Sequence, residues 1–571
     1  MRTATAAFVL GGLLLATCAR GAEYLKDFDF LAKTAAEKAA AIKAKKLDWQ
    51  AICARLKPRF QSCASDAEHV KNVMELLATL GDSHTGVVDT KVEGLPSKWD
   101  GLFGGGLWFG WERGRVMLRG VMRGHVLEKT LPPGSALLEI AGEPAWLALE
   151  REKRRITVFQ GSSSDHSLFS SMGNRFLPFG EKQELELTFM TPELAPKKVK
   201  VPRWGPGGKA FYPYTVQLPE GLELKDGAVS TMLAMPWCAK VGYLRVTGSM
   251  DQKTQAAFNG ALDALKGMEA LLLDCRGMGG GSDLPAWEMA GRFFVKAVPN
   301  GPGRMLKPTG SWQFAGPIVM LQDETEVSSA ETFTWAMSET ERIVSVGRPT
   351  GGWGIIPTVI DLPSGLAKVR LGVNNRPTPI KGVRTEGVGW PPDVQIPYGP
   401  VFCARPDPVR EVGMELLSVL HAGFGRQEVV KAYAALLQGD VAGFRKAAAK
   451  FGKKLKGWSP DTLAQQVGQD LKSTCALELA LAKADVGALD ATGTLARIER
   501  LAADAKLAGL SAERTALGKL AETLKPEAAA QEELLKITDA TLSAPDKAKA
   551  EFLKRHGKTR LGQYVKTRLW K

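Results

Sequence analysis

The chain has 571 residues, of which 44% are hydrophobic and 24% are charged, an ordinary composition for globular domains. This length exceeds what a single hydrophobic core supports and predicts three or four domains. The formal net charge is +14, but no basic run with interleaved aromatic residues is present. The charge therefore indicates lysines and arginines spread over solvated helices, which argues against a nucleic-acid partner.

The first residues have the pattern of an export signal. Arg2 is followed by an apolar segment at 6–15 and by small residues near position 21. The apolar segment is too short to form a stable transmembrane helix. We expect residues 1–21 to be a signal peptide and the protein to be periplasmic or extracellular. In the alternative, Cys18 carries a lipid that anchors the protein to a membrane.

Residues 22–95 are predicted to be mainly helical. Apolar residues recur at helical spacing from Val70 to Leu80, and Gly81 then ends the helix. A polar turn that contains Ser83 and His84 follows and leads into an apolar strand. Taken alone, His84 would be a turn histidine that bonds to its neighbours. The other histidines are predicted to be surface or packing residues: His69, His125, His166, His421 and His556.

Residues 96–204 resemble a PDZ domain that contains an insertion at 151–182. Two late strands are predicted, at 184–190 and 198–201. In PDZ domains a glycine-rich loop offers backbone amides to a peptide carboxylate while the peptide adds as a strand. The residues that stand at this position are Gly104, Gly105, Gly106, Leu107, Trp108 and Phe109. The resemblance implies peptide binding by Leu107, Trp108 and Phe109. Because Trp108 stands where many members carry glycine, a purely structural module is the alternative.

Residues 205–403 alternate between strands and helices, which predicts parallel pairing with crossovers. Strands are predicted at 241–246, 270–274 and 317–321, with a helix at 251–265. Two of these strands end in unusual turns. One turn is glycine-rich and offers amide donors, and the other places Ser328 at the start of a helix. A hydroxyl nucleophile beside amides that face a developing oxyanion suits acyl transfer.

Four motifs in this region, taken in order, resemble those of the C-terminal processing, or tail-specific, serine peptidases. The motifs are Asp274–Gly281, Ser328–Glu331, Gly347–Gly354 and Gly387–Val394. The resemblance extends over roughly residues 80–397. It implies a crotonase-like ββα core and a serine peptidase activity that uses no metal or organic cofactor. One departure is Met278, which replaces an asparagine of the glycine-rich motif.

The resemblance also implies the roles of the site residues. Ser328 is the expected nucleophile, although Ser328 and Glu331 also fit a capping box at the helix start. Trp353 occupies the position of the family's lysine base, so a Ser/Lys dyad is excluded there. The tricorn-like branch uses histidine instead, which assigns the general base to His84. In that branch a downstream glutamate, here Glu386, orients the histidine through the serine before it, here Ser83. The expected oxyanion donors are the amides of Ser329 and of Gly279 or Gly280.

Residues 404–571 are rich in alanine, leucine and lysine and are predicted to form a helical domain without recognisable chemistry. Cys53 and Cys63 are the only sequence-local candidates for a disulfide, and free buried thiols are the alternative. The predicted fold is thus an α/β multidomain protein. Its predicted parts are a signal peptide at 1–21, an N-terminal helical segment at 22–95, a PDZ-like domain at 96–204, a peptidase core at 205–403 and a C-terminal helical domain at 404–571.

The sequence predicts an exported serine endopeptidase that acts on peptides or proteins and recognises their C-terminal tails. One alternative is a catalytically impaired peptide-binding or scaffold protein of the same fold, which Met278 and Trp108 favour. Another is a hydrolase of small esters, because a fold does not fix a substrate. The only expected membrane contact is a lipid on Cys18. The sequence leaves the oligomeric state open.

Overall fold

The structure is a computed structural model that describes most of the chain. The described residues are 22–96, 105–112, 115–122, 124–172, 177, 179, 182–203, 222–223, 227–235, 238–301, 304–375, 385–455, 461–483, 490–538 and 542–570. The predicted signal peptide, Cys18 and Gly104 lie outside these residues.

The N-terminal segment is helical, as predicted. Its helices are α1 (22–38), α2 (Ala40–Lys45), α3 (Trp49–Gln61) and α4 (Asp66–Ala78), and strand β1 (Gly86–Thr90) follows them. The side chain of Ser65 caps α4 by accepting a hydrogen bond from the N–H of Glu68. The apolar faces of these helices pack against Val369 and Leu371 of a strand far along the chain. This packing holds the turn after α4 against the rest of the protein.

An antiparallel sheet with two helices follows. Its strands are β2 (Leu107–Glu112), β3 (Arg115–Val121), β4 (Ala136–Ile140), β5 (Glu143–Pro144), β6 (Glu184–Met190) and β7 (Pro196–Pro202), and its helices are α5 (Ala145–Thr157) and α6 (Asp165–Met172). The strand order is β2-β3-β4-β6-β7, with β5 paired to β4, so β2 lies at an edge. The predicted insertion at 151–182 packs as part of this sheet's core. It begins inside α5, and its residues Ile156, Leu168 and Phe169 belong to the core of this sheet.

The next region is built on a six-stranded sheet in the order β19-β16-β15-β11-β9-β8. The strands of this region are β8 (Ala228–Met235), β9 (Cys238–Val246), β10 (Gly248–Met250), β11 (Ala270–Asp274), β12 (Met278–Gly281), β13 (Val298–Pro299), β14 (Met305–Leu306), β15 (Ile318–Gln322), β16 (Val344–Gly347), β17 (Ile355–Asp361), β18 (Ala367–Asn375) and β19 (Val394–Gln395). Its helices are α7 (Gln252–Asp263), α8 (Asp283–Gly291) and α9 (Ser329–Glu339).

The pairs that link β9, β11, β15, β16 and β19 are all parallel, as the alternation of strands and helices predicts. Strand β11 is fully buried because apolar layers cover both of its faces: Leu272 faces one and Leu273 the other. Parallel strands place their carboxyl ends at the same edge of a sheet. The glycine-rich turn after β11 and the Ser328 turn after β15 therefore lie side by side.

The described elements after Gly399 are helical, as predicted. They are α10 (Pro400–Cys403), α11 (Pro408–His421), α12 (Arg426–Leu437), α13 (Val441–Gly452), α14 (Asp461–Lys483), α15 (Ala491–Leu507), α16 (Ser511–Ile537), α17 (Asp546–His556), α18 (Arg560–Tyr564) and a final π-helical turn (Val565–Leu569). Among the described helices, none is both long enough and apolar enough to cross a membrane.

These C-terminal helices cover two different parts of the molecule. Helices α11–α13 pack on one face of the parallel sheet, and α14–α16 pack on β3 and β4. A buried ion network reinforces the second contact. Arg115 of β3 lies 3.1 Å from Glu478 of α14, which lies 2.8 Å from Arg497 of α15. The helical region therefore fixes the antiparallel sheet relative to the parallel one. Cys53 and Cys63 are free thiols in the structure, so the candidate disulfide does not form there.

Candidate active site

Ser328 lies in the sharp turn between strand β15 and helix α9. Its backbone has φ 57° and ψ −119°, and a positive φ of this kind costs a non-glycine residue on the order of 1–3 kcal/mol. A strained strand-to-helix turn is one way in which a protein presents a serine hydroxyl at the end of a sheet. Ser328 is also the N-cap of α9, as predicted, and its N–H donates to Oε2 of Glu331 at 3.0 Å.

His84 meets Ser328 although the two residues are 244 positions apart: its Nε2 lies 2.9 Å from the Ser328 Oγ. Backbone bonds hold the turn that carries His84. The His84 N–H donates to Oδ1 of Asp82 at 2.9 Å, and the His84 carbonyl accepts from Nε of Arg370 at 2.6 Å. The indole of Trp353 meets the imidazole edge to face, with ring centroids 5.4 Å apart. The buried imidazole is thus fixed in position against the hydroxyl.

The glycine-rich turn approaches Ser328 closely. A Cβ atom at Gly280 would lie only 2.6 Å from the Cβ of Ser328, so only glycine allows the two segments to meet in this way. The Ser329 hydroxyl donates to the Gly281 carbonyl at 3.0 Å and joins the two turns. Met278 is fully buried in the apolar layer beneath them, so it serves as a core residue of the turn.

Glu331 joins the serine turn to the loop that contains Trp353. Its Oε1 accepts from the Thr350 hydroxyl at 2.6 Å and from the Gly352 N–H at 2.8 Å. Its Oε2 accepts from the Ser328 N–H and, at 2.7 Å, from the Trp353 N–H. One buried carboxylate therefore fixes the nucleophile turn and the position of the aromatic ring that touches His84.

The aspartate and arginine of the glycine-rich motif have a structural role. The Arg276 guanidinium donates to both carboxylate oxygens of Asp274, at 2.9 and 2.8 Å, and to both oxygens of Asp407, at 2.8 and 2.9 Å. Burial opposes the ionisation of Asp274, but the guanidinium groups of Arg276 and Arg245 outweigh it and hold the pKa of Asp274 below its usual range. This network fixes the start of the turn and ties it to the N-terminus of α11, which Asp407 caps.

Ser83 does not bond directly to Glu386; its two hydrogen bonds within the described residues both involve Ser163. The Ser163 N–H donates to the Ser83 hydroxyl oxygen at 2.8 Å, and the Ser83 N–H donates to the Ser163 hydroxyl oxygen at 3.0 Å. Ser83 is therefore joined to the loop after α5, and the predicted contact of Ser83 with Glu386 is not formed among the described residues.

Glu386 is a buried carboxyl group with an unusual charge environment. Burial and the nearby charge of Asp82 raise its pKa to about 7, against the opposing effects of Lys45, the Ser163 hydroxyl and the Gly354 N–H. The Lys45 Nζ lies 3.7 Å from one carboxylate oxygen of Glu386, and the Gly354 N–H donates to the other at 2.9 Å. Glu386 therefore changes charge near neutral pH.

The residues predicted to bind a peptide occupy the edge strand β2. Leu107 and Phe109 are buried in the core of the antiparallel sheet, in the same cluster as Leu177. A Cβ atom at Gly105 would lie 2.7 Å from Cδ1 of Leu177, so this side chain reaches the start of the predicted carboxylate-binding loop. Apolar contact with a peptide through Leu107 or Phe109 would require part of this core to open.

Trp108 instead begins a stack of aromatic rings and guanidinium groups that leads to the parallel-sheet region. The Arg119 guanidinium lies 4.6 Å from the Trp108 ring centroid and 4.5 Å from that of Tyr398. The Tyr398 hydroxyl donates to Glu324 at 2.8 Å. The Arg348 guanidinium lies 4.3 Å from the Tyr398 ring centroid and donates to the Trp111 carbonyl of β2 at 3.3 Å. The edge strand is therefore anchored to the region that contains Ser328.

Sequence reasoning missed the contribution of residues 161–167, which form the end of the loop after α5 and the start of α6. His166, predicted to be a surface or packing residue, has its Nε2 2.7 Å from the Thr350 carbonyl. The Ser164 hydroxyl donates to the Gly351 carbonyl at 2.6 Å, and the Trp353 indole N–H donates to the Ser167 hydroxyl at 3.0 Å. The only signal for this loop was its serine-rich composition. Within the described part of the chain, no cluster of three or more metal-ligating side chains is present.

Comparison with known proteins places this geometry in context. Residues 240–396 match peptidase family S41. The C-terminal processing peptidase, chloroplastic, of Tetradesmus obliquus is 32% identical over 173 residues, which cover 28% of this chain and 36% of that protein. The carboxyl-terminal-processing peptidase 2, chloroplastic, of Arabidopsis thaliana is 28% identical over 168 residues, which cover 28% of this chain and 32% of that protein. The chain thus spans about a third of the length of these relatives.

Similarity to solved structures extends further along the chain. The crystal structure of mature CPAF aligns with a TM-score of 0.51 and 14% identity and covers 72% of this chain and 98% of that one. At this identity the likeness concerns the fold alone. It reaches well beyond the residues that match the family, so the surrounding α/β architecture is shared as well.

Proposed function

Because residues 240–396 belong to peptidase family S41, we propose that this protein is a serine endopeptidase that hydrolyses peptide bonds of protein substrates. The observation that carries the proposal is the 2.9 Å contact between the Ser328 Oγ and the His84 Nε2. A serine hydroxyl is a weak nucleophile unless a base within hydrogen-bond reach removes its proton. In the proposal, Ser328 is that nucleophile and His84 is that base.

The chemical steps follow from this geometry. His84 accepts the proton of Ser328 as the oxygen attacks the scissile carbonyl, and it then returns the proton to the leaving amine. The developing oxyanion lies between the amide of Ser329, at the positive end of α9, and the amide of Gly279 or Gly280. Water then attacks the acyl-enzyme while His84 accepts one of its protons. His84 returns that proton to the Ser328 oxygen as the acid product leaves.

In this proposal Glu386 keeps the imidazole correctly oriented and favours its protonated form when the proton arrives. A lysine base is disfavoured at the family position, because Trp353 occupies it. A lysine does lie nearby, Lys45, but its Nζ is 3.7 Å from Oε1 of Glu386. This assignment corresponds to the histidine branch of the family rather than to a Ser/Lys dyad.

The other regions have supporting roles in the proposal. The parallel sheet with its helices is a crotonase-like core, and the antiparallel sheet is a PDZ-like module. Because Leu107 and Phe109 are buried in their own core, a substrate tail would add to β2 mainly through its backbone. Residues 1–21 direct export, and protein substrates are met outside the cytoplasm.

A direct comparison of substrates tests the proposed function. The purified protein is given an unfolded protein or a set of peptides and, separately, p-nitrophenyl acetate. We expect peptide hydrolysis with a kcat/KM at least tenfold above that for the ester. Ester turnover without peptide hydrolysis would instead support an esterase. The absence of both, with intact folding shown by circular dichroism, would support a scaffold protein.

The pH dependence of peptide hydrolysis should report Glu386. A histidine base acts in its neutral form, and an unperturbed histidine has a pKa of about 6.5. The raised pKa of Glu386, about 7, means that the orienting charge also develops near neutrality. We therefore expect kcat/KM to rise with pH through this range. Glu386→Gln should lower kcat and shift the midpoint downward, because the charge that stabilises the imidazolium is gone.

Stability measurements on the same variant provide an independent check. The folded pKa of Glu386 lies above its unfolded value, so the folded state binds this proton more tightly. The contribution of Glu386 to stability is then fully present below the unfolded pKa and is lost as pH rises through the folded value. Glu386→Gln should gain stability relative to the wild type between pH 5 and pH 8, by at most ~3 kcal/mol. Identical pH–rate midpoints and a constant stability difference would contradict this role.

A further inference from the structure

The positive charge of the chain is spread less evenly than its composition alone predicts. Residues 545–571 contain nine lysines and arginines but only two acidic residues, so they carry half of the formal net charge of +14. The described residues of this segment form α17, α18 and the final π-helical turn. A local excess of one sign of charge attracts groups of the opposite sign, so the segment is a candidate binding surface.

The apolar residues of this segment face inward. Phe552, Leu561 and Val565 are buried in a cluster with residues of α5 and α16. The Phe552 ring also meets the Trp570 ring edge to face, with centroids 5.4 Å apart, and the Trp570 indole N–H donates to the Leu542 carbonyl at 3.1 Å. None of the exposed large hydrophobic side chains of the described residues lies in this segment. The segment is therefore held firmly on the protein and has a polar outer face.

The outer face is basic. In α17, Lys547 and Lys554 are seven residues apart, so they share one side of the helix, roughly opposite the buried Phe552. Because α18 packs on the same apolar cluster as α17, the outer sides of both helices belong to one part of the protein surface. Six cationic side chains are exposed there, and together they are called the basic surface: Lys547, Lys554, Lys558, Arg560, Lys566 and Arg568.

Acidic neighbours neutralise other cations of the segment but not these six. The Lys549 Nζ lies 3.4 Å from a carboxylate oxygen of Asp546, and a guanidinium nitrogen of Arg555 lies 2.7 Å from Glu533 of α16. Among the described residues, no carboxylate forms an ion pair with a side chain of the basic surface. The six charges are therefore available to an anionic partner outside the chain.

We propose that the basic surface binds the anionic headgroups of a phospholipid membrane. Lysines and arginines close to an anionic leaflet are attracted to it, and the attraction decays within a Debye length. Because the segment exposes no large apolar side chain, the protein adsorbs by charge and does not insert into the hydrocarbon region. The inference does not depend on the proposed peptidase activity, because the basic surface contains none of the proposed catalytic residues.

Nucleic acid is a less suitable polyanion for this surface. Proteins that bind single strands combine basic residues with free aromatic rings on which the bases stack. The aromatic rings of this segment are instead used in its own packing, as the contact between Phe552 and Trp570 shows. The outer face thus offers charge without a stacking platform, which suits a layer of lipid headgroups.

Vesicle co-sedimentation tests the proposal on the purified protein carrying Cys18→Ser, so that no lipid on residue 18 contributes. The vesicles contain phosphatidylcholine alone, or phosphatidylcholine with roughly one third phosphatidylglycerol, an anionic lipid. At low salt we expect binding to the anionic vesicles and much weaker binding to the neutral ones. At about 1 M NaCl, where the Debye length is about 3 Å, the protein should be released.

Two double variants of equal net charge locate the surface that binds. Lys554→Gln/Arg560→Gln removes two charges of the basic surface. Its affinity for the anionic vesicles should fall about 20-fold, because each basic residue near the membrane contributes roughly fivefold. Lys431→Gln/Lys446→Gln is the matched control, since it removes two exposed lysines of α12 and α13. The control should bind within a few-fold of the wild type, and both variants should keep its thermal melt.

Several results would overturn the inference. One is a wild-type protein that binds the anionic vesicles no better than the neutral ones. Another is equal weakening in the two double variants, because binding would then reflect net charge anywhere on the protein. Tighter binding to a DNA duplex than to the anionic vesicles at the same salt would assign the surface to nucleic acid instead. If Lys554→Gln/Arg560→Gln is misfolded, Lys566→Gln/Arg568→Gln takes its place with the same expectation. Each of these results leaves the proposed peptidase function untouched.

Discussion

Replacing Ser328 with alanine should abolish peptide hydrolysis while the protein remains folded. Loss of a serine nucleophile lowers kcat by about 10⁶-fold in a comparable hydrolase. The bond between the Ser328 N–H and Glu331 involves only the backbone of residue 328 and persists in the variant. Loss of the N-cap side chain should destabilise the protein by only about 1 kcal/mol. The measurement is kcat/KM on a peptide, together with a thermal melt of each protein.

Two matched variants separate chemistry from folding. Ser338→Ala changes a buried serine on the same helix, away from the turn, and should keep wild-type turnover. Ser328→Gly should be as inactive as Ser328→Ala but more stable, because glycine adopts the positive φ of this position without strain. Appreciable turnover by purified Ser328→Ala would remove the assignment of the nucleophile.

Replacing His84 with alanine should be nearly as damaging as replacing Ser328. Nucleophile and base act as a unit, so loss of either one forfeits almost the whole rate advantage. Trp353→Lys should not raise the activity of the wild type or restore that of His84→Ala. The substitution restores the family's lysine but removes the indole that bonds to Ser167 and packs against His84.

His421→Ala is the control for this prediction. His421 lies on α11 and faces Glu269, at 3.3 Å, far along the chain from the proposed site. It should keep the activity of the wild type. If His84→Ala is fully active, the base is another group, and Lys45 would be the first to replace. If His84→Ala gains activity from Trp353→Lys, a lysine at position 353 can act as the base in the variant, and the expectation for this substitution is wrong.

Much of the fold could be predicted from the sequence because its signals are local. Strands β11 and β15 are short apolar runs, and the helices that precede Gly81 show apolar residues at helical spacing. The position of Ser328 also follows from local pattern, since a turn between a buried strand and a helix is visible in the residues themselves. The proximity of Ser328 and His84 does not follow from pattern. It was reached through the resemblance to a family, and the structure places the two side chains in contact.

The part of the site that could not be predicted depends on long-range packing. Ser163 and Ser164 lie in a serine-rich loop and Ser167 lies in the first turn of α6, and no periodicity distinguishes these residues from an ordinary surface connection. Their partners are Ser83, in the turn after α4, and Gly351 and Trp353, in the loop after β16, which only the folded chain brings together. The predicted insertion boundary at 151 falls inside a helix. Helix α5 continues past it, and Ile156 of α5 and Leu168 of α6 belong to the core of the antiparallel sheet.

Glu331 shows how one residue can satisfy a local pattern and serve a wider purpose. Its spacing from Ser328 indicated a capping box, and the bond to the Ser328 N–H is present. No local pattern indicated that the same carboxylate also accepts from Thr350, Gly352 and Trp353. Local rules therefore identified the residue but not its connection to the loop beside the proposed base.

Covalent labelling with a fluorophosphonate probe tests the central claim most directly. The probe reacts with serines that an adjacent base activates, and peptide mapping by mass spectrometry identifies the modified residue. We predict a single modified serine, Ser328, in the wild type, and loss of labelling in both Ser328→Ala and His84→Ala. A wild-type protein that is folded but remains unlabelled, or one that is labelled at a different serine, would contradict the account.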